Sequence, residues 1–214
     1  MRGVGRTAST VRTLAGLAGP AAFTAAWVVA THRQPGYSIA HEHISGLAAP
    51  DADEPRVMRA GFLALGACSV AFAWELDRRL GGGRRSGWGP ACLGAAGLAT
   101  VVAGIATRDR MSNAPAAGEP DGQSAVNDAH DIASVVGGAC ATLGLLALAR
   151  RFHGDPAWHG MSRRALTTAI TGTALSGWFL SDVTRPGNGL VQRAGVSIPL
   201  GFMARTAVRM LRSS

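Results

Sequence analysis

The sequence of 214 residues contains no lysine and few charged residues of any kind. Asp, Glu, Lys and Arg make up 16% of it, against roughly 25% in an ordinary soluble domain. A surface that faces water on all sides needs more charge, so a soluble globule is disfavoured. The 21 basic residues are all arginines. They stand at the ends of apolar stretches and do not form the cluster with stacking aromatics that nucleic acid requires, so nucleic acid is not an expected partner.

Cysteines and catalytic signatures are also scarce. Cys68, Cys92 and Cys140 lie inside apolar stretches without a Cys-x-x-Cys spacing, so neither a disulfide framework nor a thiolate zinc site is indicated. Gly-rich phosphate loops, a Ser-His-Asp order and nucleotide fingerprints are missing. None of the six histidines lies within an apolar stretch, where paired imidazoles could ligate haem. No cofactor is therefore expected.

The sequence does have apolar stretches long enough to cross a bilayer. A hydrocarbon core about 30 Å thick needs roughly 17 to 25 mostly apolar helical residues. Each such stretch should be helical, because backbone groups in hydrocarbon must be satisfied within the segment, and Pro20 and Pro199 should then kink their helices without ending them. Six stretches qualify: 13–31, 57–76, 88–107, 132–149, 165–181 and 194–211. The sequence predicts an all-α, six-span membrane bundle that forms a single domain over residues 13–211.

The distribution of arginines predicts the orientation. Counting on alternate sides of six spans places fourteen arginines on the side of the chain termini and seven on the other side. By the positive-inside rule both termini are cytoplasmic, with residues 1–12 as a basic N-terminal segment and 212–214 as a tail. The expected location is the cell membrane, as a multi-pass protein. A second interpretation treats residues 1–31 as a secretory signal, which would leave five spans.

Unusual polar side chains gather at the opposite end of the predicted bundle. They follow the third and fifth spans or precede the fourth and sixth: Asp109, His130, Asp182, Arg185 and Arg193. Charges near membrane depth are costly unless they are paired. This outward-facing polar ring therefore either clamps the helix ends or binds a lipid head group or small solute.

Two other functions remain open. A zinc-dependent intramembrane hydrolase would use His41, His43, His130 and Asp109, because imidazoles with one carboxylate suit zinc. No His-Glu-x-x-His motif supports it, and a non-enzymatic protein is favoured. A small transporter is the other alternative; it would act as a homo-oligomer, because one chain supplies only six helices. Membrane lipids are the expected partners.

Several short motifs carry a resemblance to a known family. They are Tyr37-Ser38, ISGLAAP at 44–50, MRAGF at 58–62 and GLVQR at 189–193, together with Asp109 and His130. With these features the chain resembles the bacterial and archaeal membrane proteins grouped as domain of unknown function 998, over about residues 14–211. The resemblance implies a six-helix integral membrane protein without an established activity, whose shared polar residues lie on the outer side.

Overall fold

The computed structural model describes residues 2–81, 87–112 and 123–213, with side chains from residue 5 onward. Within these ranges the chain forms six α-helices and two short 3-10 helices. The α-helices are α1 Arg2–Arg33, α2 Pro55–Arg79, α3 Trp88–Ile105, α4 Ala125–His153, α5 Met161–Ser181 and α6 Asn188–Arg212. The 3-10 helices are Ile44–Ala48 and Pro156–Trp158. The predicted all-α class is confirmed. The Pro- and Gly-rich sequence of residues 112–122 predicts an irregular segment, which lies outside the described residues except for Ser112.

The helices extend beyond the predicted spans where local signals favour it. Pro55 occupies the first turn of α2, where its missing N–H costs nothing. The Ser124 side chain accepts a hydrogen bond from the Asn127 N–H and so caps α4, which begins seven residues before the predicted span at 132. Helices α1 and α6 continue through Pro20 and Pro199, as expected.

Four helices are long and apolar enough to cross a membrane, namely Gly5–Arg33, Pro55–Arg79, Trp88–Ile105 and Ala125–His153. Large apolar side chains such as Leu98, Ile132 and Leu143 are exposed on them. An apolar exterior of this kind suits a lipid environment better than water. Helices α5 and α6 contain no stretch of comparable apolarity, because four threonines lie in the middle of α5 and arginines recur along α6 at positions 193, 205, 209 and 212.

The six helices form a closed ring. Each helix packs against the next one along the chain, and α6 packs against α1. The start of α1 and the end of α6 therefore lie at the same end, here called the terminal end. The opposite end, here called the distal end, carries segments 34–54, 106–112 and 182–187. One apolar cluster around Phe72, Leu148 and Phe152 fills the terminal half, and another around Phe23 and Met58 fills the distal half.

Glycines set how closely neighbouring helices approach. A Cβ on Gly66 would lie 2.6 Å from the Gly97 carbonyl oxygen, so α2 and α3 meet backbone to backbone. Gly89 of α3 and Gly144 of α4 form a similar contact. Gly172 on α5 has no atom within 4 Å of its Cβ position. Small residues therefore bring α2, α3 and α4 together, whereas this glycine of α5 faces open space.

Candidate functional site

A short segment, buried from His43 to Ala49, closes the distal end of the ring. It comprises residues 37–49, here called the cap segment, and includes the 3-10 helix Ile44–Ala48, all of whose residues are buried. Ile44 and Leu47 pack with Phe23 of α1 and Met58 of α2 in one apolar cluster. The ISGLA sequence is thus too short to span a membrane but apolar enough to enter the end of the bundle.

Arg193 of α6 is the main polar contact of the cap segment. Its Nη1 donates to the carbonyl oxygens of Ile39, Glu42 and Gly189, each at 2.9 Å. Its Nη2 donates to the Tyr37 hydroxyl at 2.7 Å. One guanidinium therefore fixes four groups, three of which belong to a segment about 150 residues away in the sequence.

Arg193 is 6% exposed, and its charge is not balanced by an ion pair with any described residue. Carbonyl dipoles and aromatic faces take that role. The guanidinium carbon lies 5.3 Å from the Trp27 ring centre and 5.6 Å from that of Tyr37. Burial raises the pKa of Tyr37, against the opposing effect of Arg193, and the Tyr37 hydroxyl also donates to the His43 carbonyl at 3.0 Å.

Two further residues of the GLVQR sequence hold the same segment. The Gly189 N–H donates to the Ala40 carbonyl at 2.9 Å. A Cβ on Gly189 would lie 2.5 Å from the Ile39 oxygen and 2.6 Å from the Glu42 oxygen. The Gln192 side-chain oxygen accepts from the Ile44 N–H at 2.7 Å. Positions i, i+3 and i+4 share one helix face, so Gly189, Gln192 and Arg193 form a single docking face for the cap segment.

His43 connects the cap segment to two other helix ends. Its Nε2 lies 3.0 Å from the Val183 carbonyl oxygen after α5, and its Nδ1 lies 3.2 Å from Arg108 Nη1 after α3. A carbonyl can only accept and an arginine can only donate, so the imidazole is neutral with its proton on Nε2. Burial first and Arg108 second lower the pKa of His43 to about 4.

This lowered pKa predicts a loss of stability in mild acid. The unfolded chain binds a proton at His43 with an ordinary pKa near 6.5, whereas the folded chain does so only near pH 4. The stability gained from the neutral imidazole is complete above pH 6.5. As the pH falls from about 6.5 to about 4, the free energy of unfolding decreases by about 3 kcal/mol. We expect the unfolding free energy of His43→Gln in detergent to fall by correspondingly less than that of wild type between pH 7 and pH 4. Parallel curves for the two proteins would contradict the assignment.

Asp109 and His130 secure the ends of α3 and α4. The Asp109 carboxylate accepts from both the backbone N–H and the hydroxyl of Ser124, at 2.8 and 2.5 Å. These hydrogen bonds lower the pKa of Asp109. His130 Nδ1 lies 2.8 Å from the carbonyl oxygens of both Ala103 and Ala106, at the end of α3 where carbonyls lack helical partners.

The remaining predicted residues lie in separate contacts. Asp182 accepts from Thr184, whose hydrogen bonds lower the pKa of Asp182, and it lies 3.9 Å from Arg185. Arg185 lies over the Trp178 ring. His41 Nδ1 accepts from the Gly187 N–H at 3.1 Å. The five residues of the predicted ring are thus distributed over three contact groups and do not converge on one point.

The zinc alternative required His41, His43, His130 and Asp109 to approach one another. Instead, His41 faces Gly187, His43 lies between Val183 and Arg108, and His130 caps α3. Across residues 2–81, 87–112 and 123–213, no group of three or more His, Cys, Asp and Glu side chains is arranged to hold a metal. The geometry of these residues gives that alternative no support.

Sequence reasoning missed a charged cluster at the terminal end. Glu75 of α2 is 2% exposed and lies 3.0 Å from Arg12 of α1, 3.4 Å from Arg79 and 3.8 Å from Arg78. The Ser9 hydroxyl also donates to it, at 2.5 Å. The available signal was an acidic residue within a predicted span, followed closely by Arg78 and Arg79. This cluster fastens α1 to α2 as the cap segment fastens the distal end.

Comparison with known proteins gives one match. A family model described as a protein of unknown function, DUF998, matches residues 17–209. No curated protein and no solved structure matches the chain. The matched region contains the cap segment, its docking face on α6, Asp109 and His130. With its helical fold and apolar exterior, the chain is a helical membrane protein that belongs to the DUF998 family of unknown function.

Proposed function

We propose that this protein is a non-enzymatic protein of the cell membrane, with six spans and both termini in the cytoplasm. Helices α5 and α6 contain 21 and 25 residues, which corresponds to about 31 and 37 Å. Helices α5 and α6 belong to the same ring as the four apolar helices. In this proposal they therefore cross the bilayer together with those four. The excess of arginine at the terminal end favours the cytoplasm for that end.

The observation that carries the functional proposal is the buried cap segment. Arg193, Gln192 and Gly189 already bind it, and His43 ties it to α5 and to the segment after α3. In this proposal the distal residues act as a clamp that closes the bundle against the exterior, rather than as a site for an external solute. A ligand of this protein therefore comes from the bilayer or from the cytoplasmic side.

Labelling of cysteines introduced one at a time, with a membrane-impermeant maleimide in intact cells, tests the orientation and the closure by the cap segment. Asp53→Cys lies at an exposed distal position and should be labelled. Ser213→Cys at the terminal end should be labelled only after the membrane is permeabilised. Ser45→Cys lies in the buried 3-10 helix and should remain unlabelled while the cap segment is in place.

Wild type serves as the control, because its three cysteines lie in membrane helices and should stay unlabelled. Labelling of Ser213→Cys from outside would overturn the six-span topology. Labelling of Ser45→Cys as fast as Asp53→Cys would overturn closure by the cap segment, whichever topology holds.

A further inference from the structure

A fissure at the terminal end separates the start of α5 from the end of α6. It consists of two open, overlapping grooves of about 620 Å³ each, which share Gly160, Arg164 and Arg205 in their walls. The fissure is distant from the cap segment and uses none of its residues.

The walls of the fissure are strongly cationic. The arginines that line it are Arg163, Arg164, Arg205, Arg209 and Arg212. None of the described residues that line these grooves is acidic. Arg209 is occupied, because it donates to the Ala157 carbonyl and lies over the Trp158 ring. Of the ion pairs formed within the described parts of the chain, none involves the other four.

Some other arginines at the same end have an acidic partner. Arg12 and Arg79 share Glu75, and Arg151 pairs with Asp155 at 3.0 Å. The four arginines between α5 and α6 lie together without such a partner, whereas Arg6 and Arg150 lie outside the fissure. The first turn of α5 adds to the positive charge of the fissure, since that helix has neither an acidic residue nor a side-chain cap at its N-terminus.

The inner part of the fissure is mostly uncharged. Thr167, Thr168, Gly201 and Phe202 line it, and nothing lies within 4 Å of the Cβ position of Gly201. Leu166 and Ile170 are exposed on the same helix. A cationic mouth that continues into an uncharged groove beside exposed apolar side chains complements a molecule with an anionic head and an apolar tail.

We propose that the fissure between α5 and α6 binds an anionic phospholipid, with Arg163, Arg164 and Arg205 contacting the phosphate and an acyl chain lying along Gly201 and Phe202. Free phosphate would use the arginines alone and leave the groove without a role. The proposal rests on the proposed function in one respect, that α5 and α6 cross the bilayer. Thr184→Cys tests that point separately from lipid binding: it lies at an exposed position between α5 and α6 and should react with the same maleimide in intact cells.

The test is a lipid titration of the purified protein in detergent, with bound lipid counted by native mass spectrometry. Phosphatidylglycerol should bind at least tenfold more tightly than zwitterionic phosphatidylcholine. The double variant Arg164→Gln/Arg205→Gln should bind phosphatidylglycerol roughly 30-fold more weakly, since each arginine near an anionic head group contributes about a fivefold effect. Arg205→Lys retains the charge and should stay within a few-fold of wild type.

The matched control is Arg6→Gln/Arg150→Gln, which removes two exposed arginines from the same end but outside the fissure. Its affinity should stay within about threefold of wild type. An equal loss in both double variants would show a general charge effect and overturn the site. If millimolar inorganic phosphate competed with the lipid, the ligand would be a small anion and the lipid proposal would be wrong. If Arg164→Gln/Arg205→Gln lost a dimer while its lipid binding was unchanged, the fissure would instead be a contact with a second copy of the chain.

Discussion

Replacing Arg193 with methionine is expected to lower the free energy of unfolding by about 3–4 kcal/mol. Methionine fills similar volume, but the carbonyls of Ile39 and Glu42 and the Tyr37 hydroxyl lose their donor within a buried site. A hydrogen bond to a charged group contributes roughly 1.5–3 kcal/mol, and buried acceptors left without a donor add their desolvation cost. Arg193→Lys should lose about half as much, because an ammonium cannot reproduce the planar set of donors.

Denaturant titration of the purified protein in detergent measures this loss. Arg185→Met is the matched control, because Arg185 is 34% exposed and lies 3.9 Å from Asp182. A pair of this kind contributes less than about 1 kcal/mol. Equal losses at positions 193 and 185 would show that the cap segment does not depend on the buried guanidinium.

Gly189→Ala is expected to produce the second large effect, a loss of about 3 kcal/mol or more. The added Cβ would lie within 2.6 Å of two backbone oxygens of the cap segment. Backbone cannot move aside as a flexible side chain can, so the segment must separate from α6 and expose Ile44 and Leu47. The expected cost corresponds to overpacking of a rigid core combined with lost burial.

Gly172→Ala is the matched control for this substitution. Nothing lies within 4 Å of that Cβ position in α5, so alanine should stabilise the helix by roughly 0.5–1 kcal/mol. The two glycine substitutions are therefore expected to have opposite signs in the same denaturant titration. Destabilisation by Gly172→Ala of the size expected at Gly189 would contradict this account of the contacts.

The helices could be predicted from the sequence because each segment that crosses a bilayer must be a long apolar helix. Apolar stretches of sufficient length and arginines at their ends locate the helical segments, and Pro20 does not interrupt α1. Helix α4 begins before the predicted span at 132, although Asn127, His130 and Asp131 resemble a polar connection in the sequence. Their side chains are instead used at the helix end, where His130 binds the carbonyls of α3.

The partners of the polar residues could not be predicted. An arginine near membrane depth suggests a carboxylate partner, but Arg193 is held by carbonyl groups of the cap segment. Backbone carbonyls are present at every position of a sequence and leave no compositional signal. The position of the 3-10 helix was equally hidden, since five buried residues are too few for a span. Helical segments were thus within reach of sequence reasoning, whereas their connections required coordinates.

The Arg193 contacts have a consequence for biogenesis. The guanidinium binds Ile39 across a separation of 154 residues, and a chain made from its N-terminus folds as it emerges. Until α6 is synthesised, the cap segment therefore has α1 and α2 to pack against but lacks the guanidinium that binds its carbonyl groups. A chain whose synthesis stops before residue 189 leaves the carbonyl oxygens of Ile39 and Glu42 without this donor.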